Sequence, residues 1–261
     1  EGFPAQLAGL MMSLGAAGFV VGSFVFVHLI RNVGHIRVFA ASAAVVAATT
    51  LVHSLLVDPL TWGVLRIVSG FFMAGVLMVI ESWISGVSTN ATRGRILAIY
   101  VILSTVSLAG GQWLLNLAEP AGYELFSIAA ILFTLAVVPL SLYRFRVEHS
   151  DSDAFSPLSL QALYHLVPAG VVGAVIAGMM VHSFFALAPF YTTELGFSTE
   201  ETARYMTLTT LIAMFTQWLI GRASDRFDRR RVIGFTAVAM TLSGTAVSLA
   251  SGGENGFALL V

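Results

Sequence analysis

The 261-residue sequence contains no cysteine and no lysine, and only 10% of its residues are charged. Without cysteine, thiol chemistry and disulfide bonds are excluded. A soluble domain carries about 25% charged residues, whereas this chain is 57% hydrophobic and has a mean hydropathy of +0.88. The composition therefore indicates an integral membrane protein. No basic patch interleaved with aromatic residues is present, so no nucleic-acid partner is expected, and no H-E-x-x-H metal motif or other cofactor signature occurs.

Long apolar segments dominate the chain. A helix needs about 20 mostly apolar residues to cross a bilayer, and eight segments qualify. They are Leu7–Val27, Val38–Val57, Leu60–Ile84, Ile96–Leu117, Leu125–Tyr143, Leu166–Tyr191, Glu201–Ile220 and Val232–Ala250. The sequence therefore predicts an all-α membrane protein with eight transmembrane helices.

The loops between these segments indicate how the chain is divided and where helices begin. The longest, residues 144–165, divides the chain into an N-terminal half (1–143) and a C-terminal half (166–261), and Leu158–Leu166 within it has the pattern of a surface helix. Asp58 followed by Pro59 predicts a helix N-cap. The stretch Ser198–Glu201 has the spacing of a capping box. Pro189 could kink the sixth segment.

Arginine is distributed unequally between the two sets of alternating loops. One set holds eleven arginines, and the opposite set holds only Arg204. The positive-inside rule places the first set in the cytoplasm. The eleven are Arg31, Arg37, Arg93, Arg95, Arg144, Arg146, Arg222, Arg226, Arg229, Arg230 and Arg231.

The chain also contains an internal repeat. A shift of 194 residues superposes Gly2-Phe3 on Gly196-Phe197 and Arg37-Val38 on Arg231-Val232. The same shift brings the loop around Gly34 onto the arginine-rich loop Gly221–Arg231. Two related halves are expected from this match.

Two motifs carry a family resemblance. The loop Gly221–Arg231 reads G-x-x-x-D-R-x-x-R-R and links two apolar segments, which resembles the loop signature of the major facilitator superfamily of secondary transporters. The sequence R-x-x-x-G from Arg66 to Gly70 resembles the pattern of that family's fourth helix. Asp228 stands where the family has glycine, and Asp is among the few residues that tolerate the left-handed turn expected there.

The match has two further departures. The first copy of the loop keeps Gly34 but has Arg31 where the family has Asp. Gln112 replaces the proline of the antiporter motif after Gly110-Gly111. The sequence looks most like a bacterial branch of unassigned substrate.

The resemblance implies a helical bundle with two pseudo-symmetric halves. On this numbering the eight segments match family helices two to nine of an expected twelve, so the chain looks like a fragment. We would then expect a monomeric transporter in the bacterial inner membrane. It would move a small organic solute by alternating access, coupled to a proton.

Candidate site residues fall into two groups. In the substrate or proton pathway we place Arg66, Gln112 and His182. Arg66 could instead extend to the headgroups, His182 could be a neutral ring bonded to its neighbours, and Gln112 could hold helices together. The cytoplasmic gate is expected to comprise Glu81, Arg93, Arg95, Gly221, Asp225, Arg226, Arg229 and Arg230. Within it, Glu81 is expected either to pair with Arg31, Arg93 or Arg95 or to be solvated, and Gly221 to allow close helix approach.

Two other function classes remain open. One is a sensor with a transporter fold that binds solute without moving it. The other is an intramembrane enzyme such as a serine protease, but Ser69, Ser85 and Ser243 precede glycine without a glycine two residues before them. We therefore expect no enzymatic activity.

Overall fold

A computed structural model describes residues 5–89, 92–119, 122–142 and 160–250. All regular structure within these ranges is helical. The helices are α1 (Ala5–Val33), α2 (His35–Leu55), α3 (Pro59–Val87), α4 (Arg93–Trp113), α5 (Glu124–Leu142), α6 (Leu160–Leu166), α7 (Pro168–Glu194), α8 (Thr199–Arg226) and α9 (Arg229–Ala250), with a 3₁₀ turn at Leu114–Asn116.

The eight long helices coincide with the eight predicted segments. Six of them are long and apolar enough to cross a membrane: α1, α2, α3, α4, α5 and α7. The last two predicted segments correspond to α8 and α9. The all-α membrane fold is therefore confirmed, while the count of eight transmembrane helices stays a prediction.

Two helix starts are capped as the sequence predicts. The Thr61 backbone N–H donates to Oδ2 of Asp58 over 2.9 Å, and Pro59 opens α3. This hydrogen bond holds the pKa of the Asp58 carboxyl below its usual value. The resulting stabilisation is fully present above pH about 3.9, the ordinary pKa of an aspartate in an unfolded chain. It is lost as the pH falls through the lower pKa that Asp58 has in the folded protein. At α8, Ser198 and Glu201 form the reciprocal capping box, with Ser198 N–H donating to Oε2 of Glu201 over 2.8 Å.

Two further predictions concern the middle of the chain. The predicted surface helix appears as α6, Leu160–Leu166; its first two predicted residues and most of the central loop lie outside the described residues. Pro189 lies inside α7, which continues as one helix from Pro168 to Glu194. The hydroxyl of Thr192 donates to the Pro189 carbonyl over 3.0 Å.

The chain divides into two compact units. One unit comprises residues 1–96 and 115–197, and the other comprises residues 97–114 and 198–261. In the first unit α3 packs against α1 and α2, and α2 also packs against α5. The second unit contains most of α4 together with α8 and α9. This division differs from halves at 1–143 and 166–261, which stay a prediction.

Glycine residues bring α1 and α3 into backbone contact. A methyl group at Gly18 would overlap the carbonyl oxygen of Ile67, and one at Gly70 would overlap the carbonyl oxygen of Gly15. A methyl group at Gly22 would overlap the carbonyl oxygen of Phe71. Small residues allow such close approach in membranes, where packing rather than hydrophobic exclusion holds helices together.

The apolar core of the first unit lies at the Gly34 end of α1, α2 and α3. Phe26 is 1% exposed, and its ring centroid lies 5.1 Å from that of Phe71 and 5.8 Å from that of Phe72. This core fixes the three helices that carry the candidate site. Its buried members are Phe26, Ile30, Val38, Phe39, Ala43, Val76 and Val79.

The helix boundaries support the internal repeat. The 194-residue shift moves α1 onto residues 199–227, and α8 spans Thr199–Arg226. It moves α2 onto residues 229–249, and α9 spans Arg229–Ala250. Residues 1–4 and 251–261 are not described, so the comparison rests on the helix ends beside the loop. There α1 and α8 end within one residue of each other and α2 and α9 begin at the same position, although only a few of their residues are identical.

Candidate functional site

Arg66 lies in the second turn of α3, inside the membrane-length segment. A methyl group at Gly15 would lie 3.9 Å from the Arg66 Cβ, so this residue lies where α1 and α3 pack closely. Its Nε is buried and has no hydrogen-bond partner in the described part of the chain. A charge at membrane depth is costly unless it is paired or reaches water, so its presence favours a functional role.

His53 lies near the end of α2 and is 5% exposed. Its Nδ1 lies 2.6 Å from the Thr49 carbonyl oxygen, whereas Nε2 is buried and has no partner among the described residues. The Trp62 ring contacts the imidazole with centroids 5.4 Å apart. The Trp62 Nε1–H donates to the His53 carbonyl oxygen over 3.1 Å and to that of Leu56 over 2.9 Å.

His53, Trp62 and Arg66 form one cluster, which we call the His53–Arg66 site. Trp62 and Arg66 are four residues apart on α3, so they share one helix face. Arg66 therefore lies one helical turn from the Trp62 ring that contacts His53. Trp62 also contacts Phe126 of α5, with ring centroids 6.4 Å apart.

Sequence reasoning missed His53 because hydropathy gives the depth of a residue and not the direction in which it faces. The length of the loop Leu56–Asp58 could have indicated its position. Three residues are enough only for an antiparallel turn between neighbouring helices, so His53 and Trp62 had to lie at similar depth. A histidine and a tryptophan at matching depth were therefore a candidate contact.

The other two predicted pathway residues are not in this cluster. His182 is exposed on α7, and Gln112 is half-buried near the end of α4 in the second unit. In the part of the chain that the structure describes, neither forms an ion pair. Their roles stay predictions.

The first copy of the loop is held by a contact that the sequence did not predict. Nε2 of His35 lies 2.8 Å from the Ser82 hydroxyl, and the His35 ring stacks on Trp83 with centroids 6.3 Å apart. Gly34, between α1 and α2, has φ of 95° and ψ of 153°. This conformation is essentially restricted to glycine.

Glu81 precedes Ser82 on α3 and is exposed, as are Arg93 and Arg95 at the start of α4. Within the described ranges, no ion pair joins Glu81 to Arg93 or Arg95. The structure thus shows no latch to these two arginines, and pairing of Glu81 with Arg31 stays a prediction. The His35–Ser82 hydrogen bond links the first loop to the end of α3.

The second copy of the loop is built differently. Asp228 Oδ1 accepts a hydrogen bond of 2.8 Å from the backbone N–H of Arg230, at the start of α9. No residue other than glycine has a positive φ in the described ranges. The left-handed turn expected at Asp228 is therefore wrong. The chain turns through extended Phe227, with φ of −118° and ψ of 164°, and Asp228 caps the next helix.

Three predicted gate residues of this loop, Gly221, Arg226 and Arg230, are exposed. A methyl group at Gly221 would meet nothing within 4 Å, so close helix approach is not seen there. The side chains of Asp225 and Arg229 lie outside the described residues. The Arg222 guanidinium lies over the Trp218 ring, 5.6 Å from its centroid, which is a cation–π contact.

Comparison with known proteins decides the family. The family model described as Major Facilitator Superfamily matches residues 2–261. The chain belongs to the major facilitator superfamily. Members of this family are transporters and not enzymes, so the intramembrane-enzyme alternative is excluded.

Several curated relatives of this superfamily resemble the chain over most of its length. An uncharacterized MFS-type transporter, YcaD, of Escherichia fergusonii is 26% identical over 95% of this chain and 65% of its own length. The YcaD of Shigella flexneri is 28% identical over 92% of this chain and 63% of its own length. An uncharacterized MFS-type transporter of Yersinia pestis is 25% identical over 94% of this chain and 64% of its own length. The chain thus spans a little less than two thirds of the relatives that it matches.

A solved structure shares the fold. The crystal structure of a D-xylose-proton symporter superposes with a TM-score of 0.70 at 16% sequence identity. The match covers 98% of this chain and 67% of the symporter. The chain is therefore a multi-pass membrane protein with the superfamily's fold.

Proposed function

We propose that this protein is a secondary active transporter of a small organic solute that works by alternating access and is driven by a proton gradient. The family match over residues 2–261 carries the proposal. The helix pairs α1–α2 and α8–α9 repeat with matching helix ends on either side of the loop that joins them. Repeated halves that move against each other around a central site are the physical basis of alternating access in this family.

The His53–Arg66 site supports a role in handling charge. Both side chains have a buried nitrogen atom without a partner in the described ranges. Such atoms are usually satisfied in folded proteins, and exceptions need an explanation. A solute or proton that binds during the transport cycle would supply one. Gln112 and His182 are proposed to lie on the same pathway.

The cytoplasmic gate is proposed to comprise the second loop copy together with Glu81 at the end of α3 and Arg93 and Arg95 at the start of α4. The gate residues of the second copy are Gly221, Asp225, Arg226, Arg229 and Arg230. Charge-assisted contacts among them would favour one state of the cycle. The protein is proposed to act as a monomer in the inner membrane.

A flux screen in proteoliposomes tests the proposal. Purified protein is reconstituted, and entry of a panel of radiolabelled small organic acids, sugars and amphipathic compounds is measured against protein-free vesicles. Saturable entry of at least one solute is expected. Saturable binding without entry would favour the solute sensor, and neither binding nor entry across the panel would contradict the proposal.

A further inference from the structure

Two buried nitrogen atoms without hydrogen-bond partners lie on neighbouring helices of the first unit. One is Nε2 of His53 on α2, and the other is Nε of Arg66 on α3. Polar atoms that are buried without a partner are rare in folded proteins. Ser42 Oγ of α2 also lacks a partner in the described ranges, but it lies in the opposite half of that helix. His53 and Arg66 are therefore the pair that one bound group could satisfy.

Both side chains lie beside Trp62. The Trp62 ring contacts His53, and Arg66 follows Trp62 by one helical turn on the same face of α3. The Cβ of Arg66 lies toward Gly15 of α1. The site is therefore bounded by α1, α2 and α3, and Trp62 covers it at the Asp58 end.

The hydrogen-bonding chemistry of the pair limits what can fill it. Nδ1 of His53 lies 2.6 Å from the Thr49 carbonyl oxygen, which can only accept, so Nδ1 carries the hydrogen. In the neutral ring Nε2 is then an acceptor, whereas Nε–H of Arg66 is a donor. A carboxylic acid satisfies both, because its O–H donates to Nε2 while its second oxygen accepts from Arg66. Transfer of that proton to Nε2 leaves a carboxylate beside Arg66 without other bond changes.

We propose that His53 and Arg66 form a site that binds the carboxylate of an anionic solute together with one proton. The proposal rests on the transport function proposed above, and it names the solute class and the proton-binding residue. The positive charge of Arg66 opposes a second positive charge on His53, and a carboxylate at Arg66 removes that opposition. Proton and solute therefore bind with positive cooperativity, as symport requires.

Other charged groups do not replace Arg66 in this role. At the same end of α2, α3 and α5, Asp58 and Glu124 are exposed at helix starts. The remaining charged or titratable groups on α1, α2 and α3 lie toward the opposite helix ends. They are His28, Arg31, His35, Arg37 and Glu81.

Histidine-selective ¹⁵N NMR of the whole protein in detergent tests the proposal. The sequence has six histidines, and the signal lost in His53→Gln identifies His53. We expect sodium benzoate in place of chloride to move protonation of His53 Nε2 to higher pH by about one unit, the lower end of the range for a neighbouring opposite charge. Arg66→Gln should produce a similar shift without benzoate and should then no longer respond to benzoate.

Matched variants separate charge from folding. Arg66→Lys keeps the charge, so His53 should titrate near its wild-type pH. Arg37→Gln removes an arginine from the far end of α2 and should respond to benzoate like the wild type. If Arg66→Gln does not fold, the effect of benzoate on His53 protonation in the wild-type protein still tests the proposal.

Three results would overturn the proposal. They are an unchanged His53 titration in folded Arg66→Gln, no effect of benzoate on the wild type, and an equal benzoate effect with and without Arg66. None of these measurements involves transport. Their failure would leave the proposed transport function standing, whereas an absence of solute flux would contradict that function and leave the titration result intact.

Discussion

Gly34 and Asp228 occupy the same position in the two copies of the loop, yet they shape it in different ways. Gly34 has φ of 95° and makes the turn between α1 and α2 through a conformation that other residues avoid. Asp228 has no positive φ, and it binds the Arg230 backbone N–H through its carboxylate. One copy therefore depends on backbone freedom, and the other depends on a side-chain cap.

Gly34→Ala should destabilise the protein by about 1–3 kcal/mol, the usual cost of holding a non-glycine residue in this backbone region. Thermal unfolding in detergent measures the change. Gly173→Ala on α7 is the matched control, because a methyl group there meets nothing within 4 Å and the backbone is helical. Equal unfolding temperatures for the two variants would show that the turn is not strained.

Asp228→Ala should weaken the start of α9 by about 1 kcal/mol, because the Arg230 N–H loses its side-chain acceptor. Asp228→Asn keeps an acceptor oxygen and should lose much less. Hydrogen exchange of the Arg230 amide reports the difference directly. If Asp228→Ala leaves this exchange unchanged, the cap does not hold the helix start.

Gly18→Ala should disrupt the pairing of α1 and α3, because the added methyl group overlaps the Ile67 carbonyl oxygen. Overpacking of this kind typically costs about 1–3 kcal/mol. Gly9→Ala on the same helix meets nothing within 4 Å and serves as the control. Unfolding by increasing SDS would separate the two variants, and matching midpoints would argue against backbone contact at Gly18.

The loops rich in arginine should face the cytoplasm. The chain has no cysteine, so single cysteines can be introduced without background. Ser88→Cys, Ser152→Cys and Ser224→Cys should resist a membrane-impermeant thiol reagent in whole cells. Val57→Cys, in the opposite loop, should react. Labelling of Ser224→Cys from outside would reverse the orientation.

The sequence predicted the helices well because each is long and apolar and its ends carry local signals. Asp58 and the pair Ser198 and Glu201 cap their helices as expected, since a cap depends only on residues within one turn.

Contacts between distant residues were not accessible in the same way. The His53–Trp62 contact and the His35–Ser82 hydrogen bond depend on the rotation of α2 relative to α3. An apolar segment without a polar face gives no information on that rotation. The prediction at Asp228 was wrong because aspartate is compatible with two kinds of turn. It tolerates a left-handed backbone and it can also cap a helix, and only the backbone geometry shows which of the two is present.

Solute accumulation driven by a pH gradient tests the central claim most directly. Proteoliposomes containing wild-type protein, Arg66→Ala or Arg66→Lys are given an inward or no proton gradient, and uptake of a solute found by the flux screen is followed. The account predicts gradient-driven accumulation by the wild type, none by Arg66→Ala, and partial recovery in Arg66→Lys, which keeps the charge but loses the planar set of donors. Equal accumulation by wild type and Arg66→Ala, with the same dependence on the gradient, would contradict it.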